Sequence, residues 1–424
     1  MAAELTPDHN DERQLLASYR THLSTNYAEF LERLGLDHRA DHATGATIRD
    51  SRGRTYVDLI AGYGVFNFGH NPPTLLEALR EELTATPARS GPFLSAPLAT
   101  LAERLSGLTR DALSKVFVCS TGAEAVDSAI KLARLSTRRP GIVAAQGGFH
   151  GFTLGALSVS GVPAQTLPYA PLLPQVRHVP FGDADALAAA VSRETAAVLL
   201  EPIQAEIGAE TPPDGYLAAA RAICDEAGAL LIIDEVRTGM GRTGPMFAME
   251  HDSVMPDILV IGKSLAGGIV PIGAMLAHPR LWTRFGLTFS MSASSFAGNR
   301  LASVAALTTL STLATPSVLE SAREMGALLR RGLDALSERY PNPPIRISGR
   351  GLLLGVHFAT PRLASEVVRM AIERGVLVAT AFCNSRCVLL EPPLVIERSA
   401  IEHALGVLDD AVRAASATPR RALG

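Results

Sequence analysis

The sequence predicts an α/β protein with a large domain, built on a mainly parallel β-sheet flanked by helices, and a smaller α+β domain. Two observations predict this fold class. Between about residues 55 and 310, short apolar runs alternate with helical patterns, as in crossover units that join parallel strands. After about residue 310, a long amphipathic pattern leads into a new set of strands and helices. We therefore predict an N-terminal segment (1–55) that joins the small domain, a large domain (56–312) and a C-terminal small domain (313–424).

The predicted strands of the large domain are short apolar runs bounded by turn or helix signals. They lie at 115–120, 141–146, 196–202, 229–236, 257–263 and 271–276. Two of the helices between them are predicted at 123–135 and 215–228, and the second ends at Gly228. In open α/β sheets of this kind, ligands bind at the carboxyl ends of the strands.

The composition excludes several classes of protein. The 424 residues carry a net charge of −3, which gives no reason to expect nucleic acid or a membrane surface as a partner. The four cysteines are scattered, which argues against a zinc ribbon or a disulfide framework and fits a reduced cytoplasm. The N-terminus is acidic and lacks an apolar stretch of signal-peptide length, and no later run approaches the ~20 apolar residues of a membrane helix. A soluble, cytoplasmic enzyme is expected.

Chemically useful side chains follow the predicted strands, each at or just beyond a carboxyl end. They are Ser120 and Thr121, Phe149 and His150, Glu201, Asp234 and Lys263. Lys263 is notable because only three of the 39 basic residues are lysines, and the other two read as surface residues. A lysine in an apolar setting, in a chain that otherwise uses arginine, indicates a need for an amine that can lose its proton.

Two nucleotide-binding hypotheses fit single motifs and fail on their surroundings. Gly262, Lys263 and Ser264 spell the end of a phosphate loop, but the glycine required five positions earlier is Asp257 and the residues between form a strand. The run "GMGRTG" at 239–244 matches a dinucleotide-binding fingerprint, but Pro245 follows where a helix should continue. We disfavour both an NTPase and a dehydrogenase.

The strand-end residues taken together predict a site for pyridoxal 5′-phosphate. That cofactor needs an amine nucleophile, an anion at its ring nitrogen, a cradle for its phosphate and flat groups on its ring faces. Lys263 supplies the amine for an imine, with its pKa lowered by desolvation, and Asp234 supplies the anion. Val236 lies two residues beyond Asp234, so its side chain points to the same face and covers one side of the ring.

The run "STGAEAVDSAIKLA" predicts the cradle for the phosphate. It offers a helix start with free N–H groups, Gly122 for close approach, and a capping box between Thr121 and Glu124. Each of these features occurs singly in proteins without this cofactor. Their combination with Lys263 and Asp234 is what favours the prediction.

With these residues, the chain resembles the class III aminotransferases, which belong to fold type I of the pyridoxal-phosphate enzymes. The resemblance covers nearly the whole chain and is greatest to the putrescine aminotransferase branch. The motifs that carry it are "YVDLIAGYGVFNFGHNPP", "STGAEAVDSAIKLAR", "GGFHGFTLGALS", "LEPIQAE", "LLIIDEVRTGMGRTG", "PDILVIGKSLAGG", "SSFAGNRLA", "RGLLLGVHF" and "LLEPPL". The resemblance implies a seven-stranded type of sheet in the large domain and a homodimer with shared active sites.

The resemblance also implies roles for individual residues. Phe149 would stack on the exposed ring face with His150 beside it, and Ser295 of the partner subunit would join the phosphate site. Lys263 would act both as imine partner and as the base that moves a proton. The implied cofactor-binding set is Thr121, Gly122, Ala123, Phe149, His150, Glu201, Asp234, Val236, Lys263 and Ser295.

The departures from the family pattern concern the substrate. Leu389 stands where the family has an arginine for a substrate carboxylate, while the usual partner of that arginine persists as Glu206. Glu206 would then be free for a substrate ammonium, unless Arg237 or Arg300 replaces the missing arginine. For Arg237 we favour instead a salt bridge to Glu201 beneath the cofactor.

The sequence therefore predicts a transaminase that moves an amino group between a primary amine and an aldehyde or keto acid by a ping-pong route. The donor would be a diamine, an ω-amino acid or a biosynthetic amine. Decarboxylation, racemisation or condensation with the same cofactor and fold is the alternative.

Overall fold

The structure is a computed structural model that describes residues 12–85, 93–282 and 294–417. Within these ranges the strands form three sheets. The strands are β1 (Ala40–Thr44), β2 (Thr47–Asp50), β3 (Thr55–Asp58), β4 (Lys115–Cys119), β5 (Gly141–Ala145), β6 (Val176–Val179), β7 (Thr195–Leu200), β8 (Leu230–Asp234), β9 (Ile258–Ile261), β10 (Gly273–Ala277), β11 (Arg346–Arg350), β12 (Leu353–His357), β13 (Val376–Leu377), β14 (Ala379–Ala381) and β15 (Asn384–Leu390).

The central sheet has seven strands in the order β4-β10-β9-β8-β7-β5-β6. The pairs from β9 through β8, β7 and β5 to β6 are parallel, whereas β10 runs antiparallel to both β4 and β9. The predicted mainly parallel α/β fold is confirmed. Strands β7, β8 and β9 are buried along their whole length, which explains why they read as unbroken apolar runs. The short strand β6 was missing from the predicted set.

Helices cover both faces of this sheet and pack against the outer sheets. The α-helices are Glu12–Ser18, Thr25–Leu34, Ala61–Gly64, Pro73–Ala85, Ala96–Leu108, Gly122–Thr137, Leu154–Val159, Pro163–Thr166, Ala184–Ala190, Tyr216–Ala227, Arg300–Leu313, Pro316–Arg339, Pro361–Glu373 and Arg398–Ala417. A π-helical turn spans Tyr19–Leu23, and 3₁₀ turns span Leu167–Tyr169, Ala248–Asp252, Lys263–Ala266 and Pro279–Leu281. Gly228 ends the helix Tyr216–Ala227, as predicted, and its backbone is left-handed.

Two four-stranded sheets lie outside the central one, in the orders β1-β2-β3-β13 and β11-β12-β15-β14. In the first, β13 pairs in parallel with β3, with Val376 opposite Val57. Backbone hydrogen bonds therefore connect the N-terminal and C-terminal parts of the chain. The domain boundaries at residues 55 and 312 stay predictions.

Across the described ranges, each helix taken singly is too short or too polar to cross a membrane. The bent pair Arg300–Leu313 and Pro316–Arg339, with 71° between its two helices, meets the requirement by length and composition alone. The predicted absence of a signal peptide rests mainly on residues 1–11, which lie outside the described ranges.

Candidate active site

The carboxyl ends of the central strands enclose a cavity of about 170 Å³. Ten of the twelve residues predicted for the site line this cavity, and Gly151 and Ala205 complete its wall. The lining residues are Gly122, Ala123, Phe149, His150, Gly151, Glu201, Ala205, Glu206, Asp234, Val236, Arg237 and Lys263. Thr121 adjoins the wall as the residue before Gly122. The fold thus brings together residues from the carboxyl ends of five strands, β4, β5, β7, β8 and β9, as expected at this edge of an open sheet.

Lys263 lies just beyond β9 and begins a 3₁₀ turn. Its backbone is left-handed, with a φ of 47°, a conformation that costs a non-glycine residue about 1–3 kcal/mol. Burial lowers the pKa of its amine from 10.5 to about 8, and the positive charge of Arg237 acts in the same direction. Nearby carboxylates oppose this shift only in part. At this pKa a minor fraction of the amine is already neutral and nucleophilic near physiological pH, far more than for an ordinary lysine.

Asp234 ends β8 and is buried. One carboxylate oxygen, Oδ2, lies 2.8 Å from Nδ1 of His150, and the other accepts a hydrogen bond of 3.0 Å from the backbone N–H of Val236. Burial by itself would lower the pKa of His150, but the hydrogen bond and charge of Asp234 raise it. His150 therefore orients the carboxylate and supports its negative charge, a contact that the sequence did not reveal.

Glu201 holds the turn that carries Phe149. Its Oε1 accepts a hydrogen bond of 2.9 Å from the backbone N–H of Phe149. Burial raises the pKa of this carboxyl to about 7, against the lowering effect of a positive charge on His150. The adjacent residues Phe149 and His150 are thus fixed by two carboxylates at the ends of neighbouring strands.

The helix Gly122–Thr137 points its N-terminus at the cavity. The side chain of Thr121 caps this helix by accepting a 3.2 Å hydrogen bond from the N–H of Glu124. In the predicted capping box the carboxylate of Glu124 would accept a hydrogen bond from the N–H of Thr121. In the structure it accepts instead from the N–H of the preceding residue, Ser120, at 2.8 Å. The N–H groups of Gly122 and Ala123, which precede Glu124 in the helix, find no acceptor among the described residues and remain available for an anion.

The residues of the cavity fit pyridoxal phosphate. Gly122 leaves the required space beside Val236, because a Cβ at Gly122 would lie 2.9 Å from both methyl carbons of that valine. The helix start offers a phosphate site, Asp234 offers a buried carboxylate, and Lys263 offers an amine of lowered pKa. All three groups face one cavity, which is the arrangement that the cofactor requires.

The remaining wall of the cavity is a buried ion cluster in which Arg237 lies between Glu206 and Glu391. The guanidinium donates to both oxygens of Glu391, from Nε at 2.7 Å and from NH2 at 2.5 Å. It also donates from NH1 to Oε1 of Glu206. The predicted salt bridge from Arg237 to Glu201 is therefore wrong. Glu391 makes the contact instead, because β15 ends at Leu390 and brings the "LEPPL" segment that follows against Arg237.

The ion cluster carries one positive and two negative charges. Among the described residues, none donates a hydrogen bond to Oε2 of Glu206, although that oxygen is buried. A buried carboxylate oxygen without a donor is costly, so a donor from a bound ligand would stabilise it. Glu206 was predicted to be free for a substrate ammonium. This is wrong for Oε1, which Arg237 binds, and stays a prediction for Oε2.

Leu389 and Arg300 occupy other surroundings. Leu389 is buried in a small apolar cluster with Ile203, Ala205 and Leu353, so this position offers no charge to the cavity. Arg300 forms an ion pair with Glu82 and does not line the cavity. Of the two arginines considered as replacements, only Arg237 lies at the site.

Ser295 is exposed and does not line the cavity of its own chain. Its predicted role is in the site of a partner subunit, and that role stays a prediction. Besides Gly151 and Ala205 of the cavity wall, the sequence analysis missed Glu391, which binds Arg237. Its signal was the glutamate inside "LLEPPL", a charged residue in an otherwise apolar run that follows a strand.

A pyridoxal-phosphate enzyme of fold type I is the class that this fold and site define. Comparison with known proteins gives the family: residues 35–412 match the model of the class-III aminotransferases. The chain belongs to the class-III aminotransferases, and it is a pyridoxal-phosphate-dependent transaminase.

Individual relatives agree with this assignment. The chain is 38% identical to a putrescine aminotransferase of Pectobacterium atrosepticum over 96% of its own length and 90% of that relative. It is 29% identical to the ornithine aminotransferase of Toxoplasma gondii, solved with partial occupancy of PLP, with a TM-score of 0.88 over 98% of this chain and 97% of that one. An amine transaminase of an uncultivated Pseudomonas species, in its PLP-bound form, is 27% identical, with a TM-score of 0.81 over 89% of this chain and 95% of that one.

Proposed function

We propose that this transaminase takes its amino group from a diamine-type primary amine and passes it to a keto acid or aldehyde by a ping-pong route. Such a donor carries a second cationic group at a distance from the reacting amine. The observation that carries the proposal is the excess negative charge of the ion cluster. Two carboxylates surround one guanidinium, and Oε2 of Glu206 is buried and receives no hydrogen bond from the part of the chain that the structure describes. A substrate ammonium would supply the missing donor and balance the charge.

The roles of the cofactor residues follow from their positions around the cavity. When bound, pyridoxal phosphate supplies an aldehyde that condenses with amines and a ring that accepts electrons from the substrate carbon. Lys263 would hold the cofactor covalently at its Nζ. Once the substrate amine has taken its place on the cofactor, the same nitrogen would move a proton from the carbon that bears the substrate amino group to the aldehyde carbon of the cofactor. The lowered pKa of Lys263 suits both roles.

The other residues would bind and orient. Asp234, oriented by His150, would lie at the ring nitrogen and keep it protonated, and Val236 and Phe149 would cover the two ring faces. The phosphate would lie at the helix start of Gly122 and Ala123, capped by Thr121. Glu201 would keep the Phe149 turn in place, because it binds the backbone N–H of that residue.

A homodimer in the cytoplasm is part of the proposal. Its support is the family resemblance, which assigns Ser295 of the partner subunit to the phosphate site, and the exposure of that serine in its own chain. Sedimentation analysis of the purified protein tests the dimer. Mixing Lys263→Ala chains with Ser295→Ala chains tests the shared site, because a hybrid dimer would contain one site with neither substitution.

The donor is tested by half-reactions of the purified holoenzyme without an acceptor. Putrescine and cadaverine should convert the cofactor from its aldehyde form to its amine form, which is followed by absorbance, and Lys263→Ala should abolish the conversion. Butylamine is the matched probe without the second ammonium and should react with a lower kcat/KM. Equal values for putrescine and butylamine would contradict a site for the second ammonium. Release of carbon dioxide or racemisation of an amino acid, without conversion to the amine form, would contradict transamination.

The contribution of Glu206 is tested with Glu206→Gln, which keeps the shape of the side chain and removes its charge. We expect the preference for putrescine over butylamine to shrink in this variant. Glu210→Gln is a matched control, because Glu210 follows in the same loop and pairs with Arg346 away from the cavity.

A further inference from the structure

Three phenylalanines form a continuous aromatic rim that leads from the cavity to the surface. Phe149 lines the cavity, and its ring centre lies 5.2 Å from that of Phe152, with the ring planes 70° apart. Phe152 in turn lies 6.4 Å from Phe382, at 80°. Both arrangements are edge-to-face contacts, which stabilise the relative position of the rings. We call Phe149, Phe152 and Phe382 the aromatic rim.

The outer two rings of the aromatic rim are largely exposed, Phe152 by 57% and Phe382 by 65%. A single exposed apolar side chain is ordinary on a protein surface. Two exposed phenylalanines in contact with each other, and continuous with a residue of the cavity wall, form an apolar surface that a ligand in the cavity would reach.

The fold fixes both outer rings relative to the cavity. Phe382 lies in the turn between β14 and β15, and the next residue, Cys383, donates its backbone N–H to the carbonyl of Glu206 at 2.9 Å. On the other side, Phe152 follows Gly151, where a Cβ would lie 2.6 Å from that of Ala123. The rim therefore combines one ring beside the helix start with one ring held by the loop of Glu206.

We propose that the aromatic rim is an apolar subsite for the amine donor, which holds the methylene chain or aryl group that extends from the reacting amine toward the surface. This inference rests on the proposed function, since it assigns a further part of the same donor. It predicts that amine donors with a long apolar chain react faster than donors with a short one. Phe152 and Phe382 are specificity-determining residues in this proposal and take no part in the proton transfer.

The test is a half-reaction series on the holoenzyme with n-alkylamines from propylamine to heptylamine, without an acceptor. These probes differ only in the number of methylenes. We expect the apparent kcat/KM for formation of the amine form to rise about two- to fourfold with each added methylene, because burial of a methylene strengthens binding by up to about fourfold. Phe152→Ala and Phe382→Ala should each flatten this rise, and the double variant should abolish it.

Leu83→Ala is the matched control, since Leu83 is 65% exposed on the helix Pro73–Ala85 and belongs to no wall of the cavity. It should leave the dependence on chain length unchanged. Because the three substituted side chains are exposed, all variants should fold, which unfolding midpoints near that of the wild type would verify.

Three outcomes would overturn the inference. The first is a wild-type rate that does not depend on chain length. The second is a dependence that persists in the double variant. The third is a change in sedimentation of Phe152→Ala or Phe382→Ala with an unchanged chain-length dependence, which would assign the rings to an interface between subunits. In each of these cases, conversion of the cofactor by putrescine would leave the proposed function standing. Failure of every amine to convert the wild type would instead refute the proposed function.

Discussion

Replacement of Lys263 by methionine should make the cofactor-free protein more stable at neutral pH. A buried amine that must carry a proton destabilises the fold, and methionine has a similar length without the charge. Burial and the charge of Arg237 lower the pKa of Lys263 from 10.5 to about 8. At about 1.4 kcal/mol per pH unit, this difference corresponds to about 3 kcal/mol of unfolding free energy.

The gain should depend on pH in a defined direction. Below pH 8 the lysine is protonated in both the folded and the unfolded wild type, so the full cost is present. Between pH 8 and pH 10.5 the folded wild type loses this proton before the unfolded chain does, so wild-type stability rises with pH. The advantage of Lys263→Met should therefore be greatest below pH 8 and fall toward zero, apart from packing differences, near pH 10.5.

The measurement is urea denaturation of both proteins, stripped of cofactor, at several pH values from 7 to 10.5. Lys131→Met is a matched control, because Lys131 is exposed on the helix Gly122–Thr137, and its effect should stay within about 0.5 kcal/mol at every pH. A loss of stability in Lys263→Met at pH 7, or a gain that does not decline between pH 8 and 10.5, would refute the reasoning. The same variant should also lose the visible absorbance of the holoenzyme.

Three further predictions follow from single contacts. Asp234→Asn should lower the rate of the half-reaction with putrescine by about a hundredfold or more, because it removes an electrostatic contact that stabilises developing charge. An unchanged rate would show that Asp234 takes no part in the mechanism. Arg237→Met should lower the unfolding free energy, measured by urea denaturation at neutral pH, by about 3–5 kcal/mol, because it leaves two buried carboxylates without their cation. An unchanged unfolding free energy would indicate that water reaches the ion cluster. Gly122→Ala should weaken cofactor binding about tenfold in a fluorescence titration, since its Cβ would crowd Val236. Gly107→Ala is the control and should bind normally, because a Cβ there meets no atom of the described residues within 4 Å.

The ion cluster changes how the missing family arginine is understood. Position 389, where the family has its arginine, is an apolar and buried leucine. The guanidinium that binds Glu206 comes instead from Arg237, just beyond the end of β8. Glu391 adds a second carboxylate to that guanidinium. Arg237 is therefore held by two anions within its own chain, which leaves it less able to bind a substrate carboxylate than an arginine with a single partner.

Local patterns predicted much of the fold and the site. Unbroken apolar runs predicted the strands of the central sheet, because residues buried on both faces must be apolar. The order of strands and helices placed Lys263, Asp234 and the helix start at one edge, since the carboxyl ends of parallel strands meet there. Each of these inferences depends on residues near one another in the chain or on the general rule for such sheets.

Other features depended on contacts between distant parts of the chain. The pairing of Arg237 with Glu391 joins residues 154 positions apart, and that of His150 with Asp234 joins residues 84 apart. No periodicity encodes such pairs, and charge alone allowed Arg237 to be assigned wrongly to Glu201. By itself the sequence determined the chemistry at the strand ends, because secondary structure and residue type are local. Only the tertiary structure decided which carboxylate faces which cation and which aromatic rings meet at the rim, because packing sets those distances.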